Sequence, residues 1–317
     1  MGNFLPTTSN VPLFWPKIQF SLFLFGILVS IPCYLFVFYH ILREKNTIKN
    51  LHNHVILMLL FYNFLTVTID LPMTINYIRL NYVSPFIPAL CLIWQYVDHG
   101  IWYGAVSLMF WASFERHILV FHSNLLSTFR RRLVFHYLPL IFFSLYTPCF
   151  FFYLIFIYSC GQTLAAVKIR CGTICLYVNV PYWLKSYDTY VNYTIPILLI
   201  AICSLTLLLR FIKQKRRMRQ AVTWRHCRKM TLQLVLVSSA YIIFDLPSIL
   251  ISIIQASGYP TFASSIYSPF LTHLTFVPSI IVPFCVLIAM PNLKTKLSNL
   301  FFWQRNRRVI LPRSTMN

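Results

Sequence analysis

The sequence predicts an all-α membrane protein, a seven-transmembrane helix bundle followed by a short amphipathic eighth helix. Three observations predict it. Seven apolar stretches lie at roughly 18–42, 52–78, 88–122, 133–158, 188–213, 228–255 and 266–290, and each exceeds the roughly 20 helical residues that span a hydrocarbon core. Of the 27 lysines and arginines, all but Lys17, Arg79, Lys168, Arg170 and Lys185 fall on one side of those stretches. Runs such as 197–211 and 232–243 are nearly continuously apolar, whereas barrel strands would alternate with period two over about ten residues.

Taken in order, residues 1–16 of the segment 1–17 are polar and proline-containing, with no basic start and no separate apolar core. They read as a short extracellular N-terminus rather than a cleavable signal peptide. The spanning domain runs over 18–290. Its first stretch carries Pro32 and directs insertion. The second carries Asp70 and Pro72. The third opens at Cys91, holds Asp98, Trp102 and Tyr103, and ends in Glu115, Arg116 and His117. The fourth contains Pro148, the fifth Asp188 and Pro196, the sixth Tyr241, Asp245 and Pro247, and the seventh Pro278 and Pro283. Each intramembrane proline removes a backbone donor and can bend its helix; Pro196, Pro247 and Pro283 are the candidate hinges. In 291–317, an interfacial helix and tail, Leu293, Leu297, Leu300 and Phe301 fall on one face and Lys294 and Lys296 off it, as in a helix lying in the membrane interface.

A content of 58% hydrophobic and only 10% charged residues does not describe a soluble domain. The formal net charge of +21 would otherwise suggest nucleic acid, but the charges flank spans and no soluble module is left to bind it. They hold topology and meet anionic lipid headgroups of the bilayer. The positive-inside rule then places the N-terminus outside and the C-terminus in the cytoplasm, in a multi-pass plasma-membrane protein.

Cys33, Cys149, Cys203 and Cys285 lie in spans and are expected to pack as small apolar residues. Cys227 falls on the reducing side. Cys91, Cys160, Cys171 and Cys175 lie at the outer face, where disulfides persist. Four cysteines allow three connectivities. If all four pair, at least one bridge joins Cys91 to the 159–187 loop. The pairing chosen is Cys91–Cys175 with Cys160–Cys171.

Charges inside spans cost about 2.5–3.5 kcal/mol each on insertion scales and call for a reason. Asp70, Asp98 and Asp245 occupy the outer or middle parts of their helices, and no lysine or arginine lies deep in a span to pair with them. Asp98 and Arg116 are 18 residues apart, five helical turns, so they share one face about 27 Å apart. One stripe then carries an acid toward the outside and a base at the inside. Each aspartate also has a plain structural reading, a hydrogen bond to a tyrosine, a histidine or the backbone freed by a proline. Asp98, Asp245, Asp70, Trp102 and Tyr241 are the candidate ligand-binding residues: acids and aromatic faces together suit a cation.

On these residues the chain resembles the rhodopsin-like (family 1) G protein-coupled receptors over 17–303. Glu115-Arg116-His117 is similar to that family's acidic–arginine–aromatic triplet at the inner end of helix three. Cys91 has the spacing of its helix-three disulfide cysteine. Asn53, Leu59 and Asn63 fit its helix-two pattern, and Pro196, Pro247 and Pro283 its prolines of helices five, six and seven. The departures are distinct. Val282-Pro283-Phe284-Cys285-Val286 lacks the Asn and Tyr of the helix-seven motif. Ser204 replaces the helix-five tyrosine, Asp245 stands where helix six carries an aromatic residue, and helix four lacks its tryptophan. Asn63, Ala105 and Val282 dismantle the family's sodium-binding cluster. Cys227 stands where some relatives place the acid that locks the helix-three arginine, which leaves Arg116 to Glu115 alone.

The resemblance implies an extracellular ligand bound among helices two, three, five, six and seven, an outward swing of helix six about Pro247, and coupling of Glu115, Arg116, His117 and the basic 210–229 segment to a heterotrimeric G protein. An acid at the Asp98 position implies a cationic amine or a small basic peptide as ligand. No lysine lies in 266–290 to bind retinal, and no cofactor or metal is expected. Two other classes compete. A polytopic transporter or channel without G protein coupling finds no inverted repeat here. A membrane enzyme built on His99 and His273 beside Asp98 finds no metal-ligand spacing or nucleophile motif.

Overall fold

The computed structural model describes residues 15–43, 51–121, 126–158, 164–172, 181–217, 221–259, 261–263 and 270–289. They form seven long helices: α1 (Trp15–Arg43), α2 (51–80), α3 (88–121), α4 (Phe129–Ile157), α5 (182–217), α6 (Ala221–Ala256) and α7 (270–289). The expected amphipathic helix at 291–317 and the N-terminal segment before Trp15 lie outside the described residues. The helices outrun the apolar stretches at several ends. α1 takes in Lys17 and Arg43, α4 takes in Arg130, Arg131 and Arg132, and α5 takes in Lys185. Long basic side chains keep their heads in water while their stems continue a helix.

Three prolines shape the helices in the same way. Pro72, Pro139 and Pro196 each follow a π-type turn, at Thr66–Asp70, Leu133–Tyr137 and Asp188–Thr194. A proline cannot donate to the carbonyl four residues back. Widening the preceding turn relieves the clash and re-registers the face that follows. A fourth wide turn, Val97–Ile101, has no proline after it and carries Asp98 and His99. Pro32, Pro148, Pro247 and Pro283 instead lie inside continuous helix.

α3 is the central helix, packed against α2, α4, α5 and α6, while α7 packs against α1, α2 and α6. Ala105, Val106, Leu108 and Met109 on α3 are wholly buried. Gly104 sets the α2–α3 approach, because a Cβ there would stand 2.5 Å from Cε1 of Tyr62. On α5, Leu198, Ile202, Leu205 and Leu209 are exposed at helical spacing. In a water-soluble protein such a stripe would be a fault; on a spanning helix it is the lipid face.

Between helices, apolar packing is supplemented by hydrogen bonds to backbone. Tyr34 Oη donates to the Ser279 carbonyl at 2.6 Å, joining α1 to α7, and Tyr62 Oη donates to the Ser144 carbonyl at 2.5 Å, joining α2 to α4. Tyr146 meets Tyr187 and Asn192, joining α4 to α5. Of the intramembrane cysteines, Cys33 and Cys285 are buried as expected, but Cys149 is exposed on the lipid face of α4.

Candidate functional site

The site begins at a loop turn. Residues 164–172 pack over the start of α3, with the Val83 N–H donating to the Ala166 carbonyl at 2.7 Å and the Ala165 N–H to the Cys171 carbonyl at 2.9 Å. Gln95, one turn after Cys91, donates through Nε2 to the Arg170 carbonyl at 2.9 Å. That bond brings Cys171 above Cys91, and the two form a disulfide with Cα atoms 5.7 Å apart. The expected pairing of Cys91 with Cys175 and of Cys160 with Cys171 is therefore corrected to Cys91–Cys171. Sequence alone does not choose among the connectivities; the amide of Gln95 and the buried contacts of Trp94 and Val83 with the bridge select Cys171. Cys160 and Cys175 lie outside the described residues.

The turn carries a second consequence. Arg170 has φ +56° and Cys171 φ +59°, a left-handed pair that few non-glycine residues adopt. The reversal aims the Arg170 side chain down into the bundle, where its Nε lies 2.8 Å from Oδ2 of Asp98. His99 Nδ1 lies 3.0 Å from the same oxygen. The expectation that the intramembrane acids have no basic partner fails for Asp98. Its partner comes from a loop, 72 residues away in sequence, and not from a span.

Below the turn is a cavity of about 260 Å³. Asp98, His99 and Arg170 form one wall. Trp102 and Tyr103 on α3, Tyr193 on α5 and Phe276 on α7 supply aromatic faces, and Ser248, Thr272 and Thr275 place hydroxyls on the α6–α7 side. The Trp102 ring lies 5.0 Å from that of Tyr103 and 5.5 Å from that of Tyr193, centroid to centroid. A concavity that sets aromatic faces beside convergent polar and charged groups has the makings of a small-molecule site. A larger groove of about 360 Å³ lies between α1 and α7. Its walls, Leu22, Phe25, Val29 and Val277 among them, are almost wholly apolar and it opens beside lipid-facing residues, so it lacks such convergence.

Of the five candidate ligand residues, Asp98 and Trp102 line the cavity. The other three are placed elsewhere. Asp70 is fully buried, with Oδ1 accepting from Trp94 Nε1 at 2.8 Å and from Thr74 Oγ1 at 3.3 Å. It joins α2 to α3, which also makes Trp94 a structural donor and not part of a cation cage. Tyr241 is buried deeper, its Oη donating to Asn63 Oδ1 at 3.0 Å. Asp245, one turn beyond Tyr241, is fully buried. Arg170, Tyr193, Ser248, Thr272, Thr275 and Phe276 were not singled out from sequence. For Arg170 the signal was its position between the apolar Ile169 and the Cys171–Gly172 pair; the others look like ordinary span residues.

At the opposite, arginine-rich end of α3, Glu115 and Arg116 are buried at 1% and 3% exposure. Arg116 is expected to rest on Glu115, but Glu115 Oε1 meets Nδ1 of His136 on α4, and His136 Nε2 lies 3.2 Å from His54 Nδ1 on α2. Three helices are thus tied through His136. His117 Nε2 lies 2.9 Å from the Cys203 carbonyl on α5, and the Arg210 guanidinium of α5 sits over the Phe121 ring at 5.4 Å. The side chains of 214–232 lie outside the described residues, so the basic segment between α5 and α6 is not placed.

A bundle with a polar, aromatic cavity at one end of its central helix and a buried arginine at the other defines a seven-helix membrane receptor. The sequence bears this out: residues 19–290 match the 7 transmembrane receptor (rhodopsin family), and the chain belongs to that family. The fold is also similar to the crystal structure of squid rhodopsin, with a TM-score of 0.68 over 94% of this chain and 91% of that one, at 14% identity. Among curated proteins no sequence matches. The protein is a multi-pass membrane receptor of the rhodopsin family.

Proposed function

We propose that the disulfide-capped end faces the extracellular side at the plasma membrane, that the cavity below it binds a small peptide or a cationic amine, and that the arginine-rich end activates a heterotrimeric G protein. One observation carries this reading: Asp98 in the cavity wall and buried Arg116 lie on the same central helix, so a contact made at one end bears on the packing at the other. A ligand shifts the population only through its differential affinity for the two arrangements. The bonds from His117 to α5 and from Glu115 to α4 are those that rearrange when the arginine-rich end opens. Pro196, Pro247 and Pro283 supply the bends, and the ligand's ammonium takes Asp98 against the aromatic faces of Trp102 and Tyr193.

The test separates binding from coupling. Arg116→Ala should abolish G protein activation in transfected cells while leaving ligand affinity within a few-fold. Asp98→Asn should weaken a cationic agonist by about tenfold or more, the worth of one desolvated charge contact. Equal potency on the two versions rejects Asp98 as the anchor, and a ligand-evoked current with no G protein favours a channel.

A further inference from the structure

Asp98 is not an empty seat for a cation. Oδ2 already faces the Arg170 guanidinium at 2.8 Å, with the two side chains 11% and 22% exposed, and both line the same cavity. Arg170 cannot retreat with its backbone, because its carbonyl is held by Gln95 and its neighbour is bonded to Cys91. A ligand bearing only a positive charge displaces the guanidinium from Asp98 and leaves it in the protein with its carboxylate taken. A ligand bearing only a negative charge does the same to Asp98. Stranding one member of a partly buried ion pair costs far more than the pair itself contributes. A ligand carrying both charges exchanges one ion pair for two.

Resting on the receptor reading above, we propose that the cavity takes a small zwitterion with an aromatic side chain, an amino acid or the free end of a very short peptide. Its ammonium sits on Asp98, and its carboxylate accepts the planar fork of Arg170, a geometry suited to bidentate carboxylate recognition. The aromatic side chain lies among Trp102, Tyr103, Tyr193 and Phe276, with Ser248 and Thr275 lining the α6–α7 side. A volume of about 260 Å³ lies just below the usual range for small-molecule pockets, which sets the size class. Asp70 lies within electrostatic reach of Asp98 and Arg170, but its Oδ1 is held by Trp94 and Thr74 and it does not line the cavity, so the ligand's charges meet Asp98 and Arg170. Arg170 is then the specificity-determining residue: it turns a cation site into a zwitterion site.

The experiment uses the purified full chain in lipid nanodiscs and three probes that differ by one charged group: L-phenylalanine, phenethylamine and 3-phenylpropionate. Binding is read by thermal shift and by titration calorimetry. On the unmodified chain phenylalanine should bind about tenfold or more tightly than either analogue. In Arg170→Gln the order should change to phenethylamine first, and in Asp98→Asn to phenylpropionate first. Unliganded melting curves of both variants confirm that each is folded, and Arg170→Lys, which keeps the charge, should retain the preference for the zwitterion. Binding of phenethylamine as tight as that of phenylalanine, lost in Asp98→Asn, overturns the zwitterion while leaving the cationic-ligand reading intact. Binding indifferent to both residues overturns both readings. No binding by any probe, or an order unchanged in the variants, overturns the zwitterion.

Discussion

Asp245 is fully buried on α6, and neither of its carboxylate oxygens has a hydrogen-bond partner among the described residues. A buried polar group without a bond costs about 1–3 kcal/mol, and more when charged. Leucine has the same branching at Cγ without the polar atoms. Asp245→Leu should therefore raise the melting temperature of the detergent-solubilised receptor, by a stabilisation of about 1–3 kcal/mol. A lowered melting temperature would show that the carboxylate has a partner that the described side chains do not supply. Asp70 shows the contrast. It is equally buried, yet its Oδ1 accepts from Trp94 and Thr74, so that one oxygen is built into the packing while Oδ2 has no hydrogen-bond partner among the described residues. Three aspartates that look alike in sequence thus hold three situations: one bonded between helices, one in the cavity wall and one without a hydrogen bond among the described residues.

At the scale of elements, the α2–α3 contact is the closest set by a glycine among the described residues. A Cβ on Gly104 would stand 2.5 Å from the Tyr62 ring and 3.3 Å from Thr147 Oγ1 on α4. The Tyr62 ring cannot swing aside freely, since its hydroxyl is bonded to the Ser144 carbonyl. Gly104→Ala should destabilise the bundle by about 1–3 kcal/mol, the usual cost of overpacking. Thermal unfolding of the variant beside Gly104→Ala/Tyr62→Leu checks it, because shortening the ring should restore much of the loss. The wide turns also act at this scale. A proline releases a carbonyl, the turn before it opens, and the face after it is rotated relative to a uniform helix. The Val97–Ile101 turn does this without proline and sits where α3 presents Asp98, His99, Trp102 and Tyr103 to the cavity together.

For the whole molecule, the charge asymmetry makes a prediction that the fold itself does not test. If positive charge holds the loops inside, the disulfide end and residue 1 face out and the C-terminus faces the cytoplasm. Epitope tags at Met1 and Asn317, stained with and without permeabilisation, check it. The expected result is surface staining of the Met1 tag on intact cells, with the Asn317 tag visible only after permeabilisation. Surface staining of the Asn317 tag would end the receptor reading, because Arg116 would then face away from any G protein.

What the sequence by itself determined was the bundle: the number of helices, their order, their bounds to within several residues, and which helix carries an acid toward one end and an arginine at the other. Those follow from hydropathy and helical period, which are local properties, and from the solvent that the bilayer imposes. Only the tertiary structure decided the partners. The ion pair of Arg170 with Asp98, the Cys91–Cys171 bridge and the Glu115–His136–His54 chain each join residues many positions apart, through a loop reversal or a contact between helices. Spacing along one helix does not encode which side chain of another element will arrive opposite it. That is set by where turns widen, where Gly104 lets helices approach, and where Gln95 pins a loop.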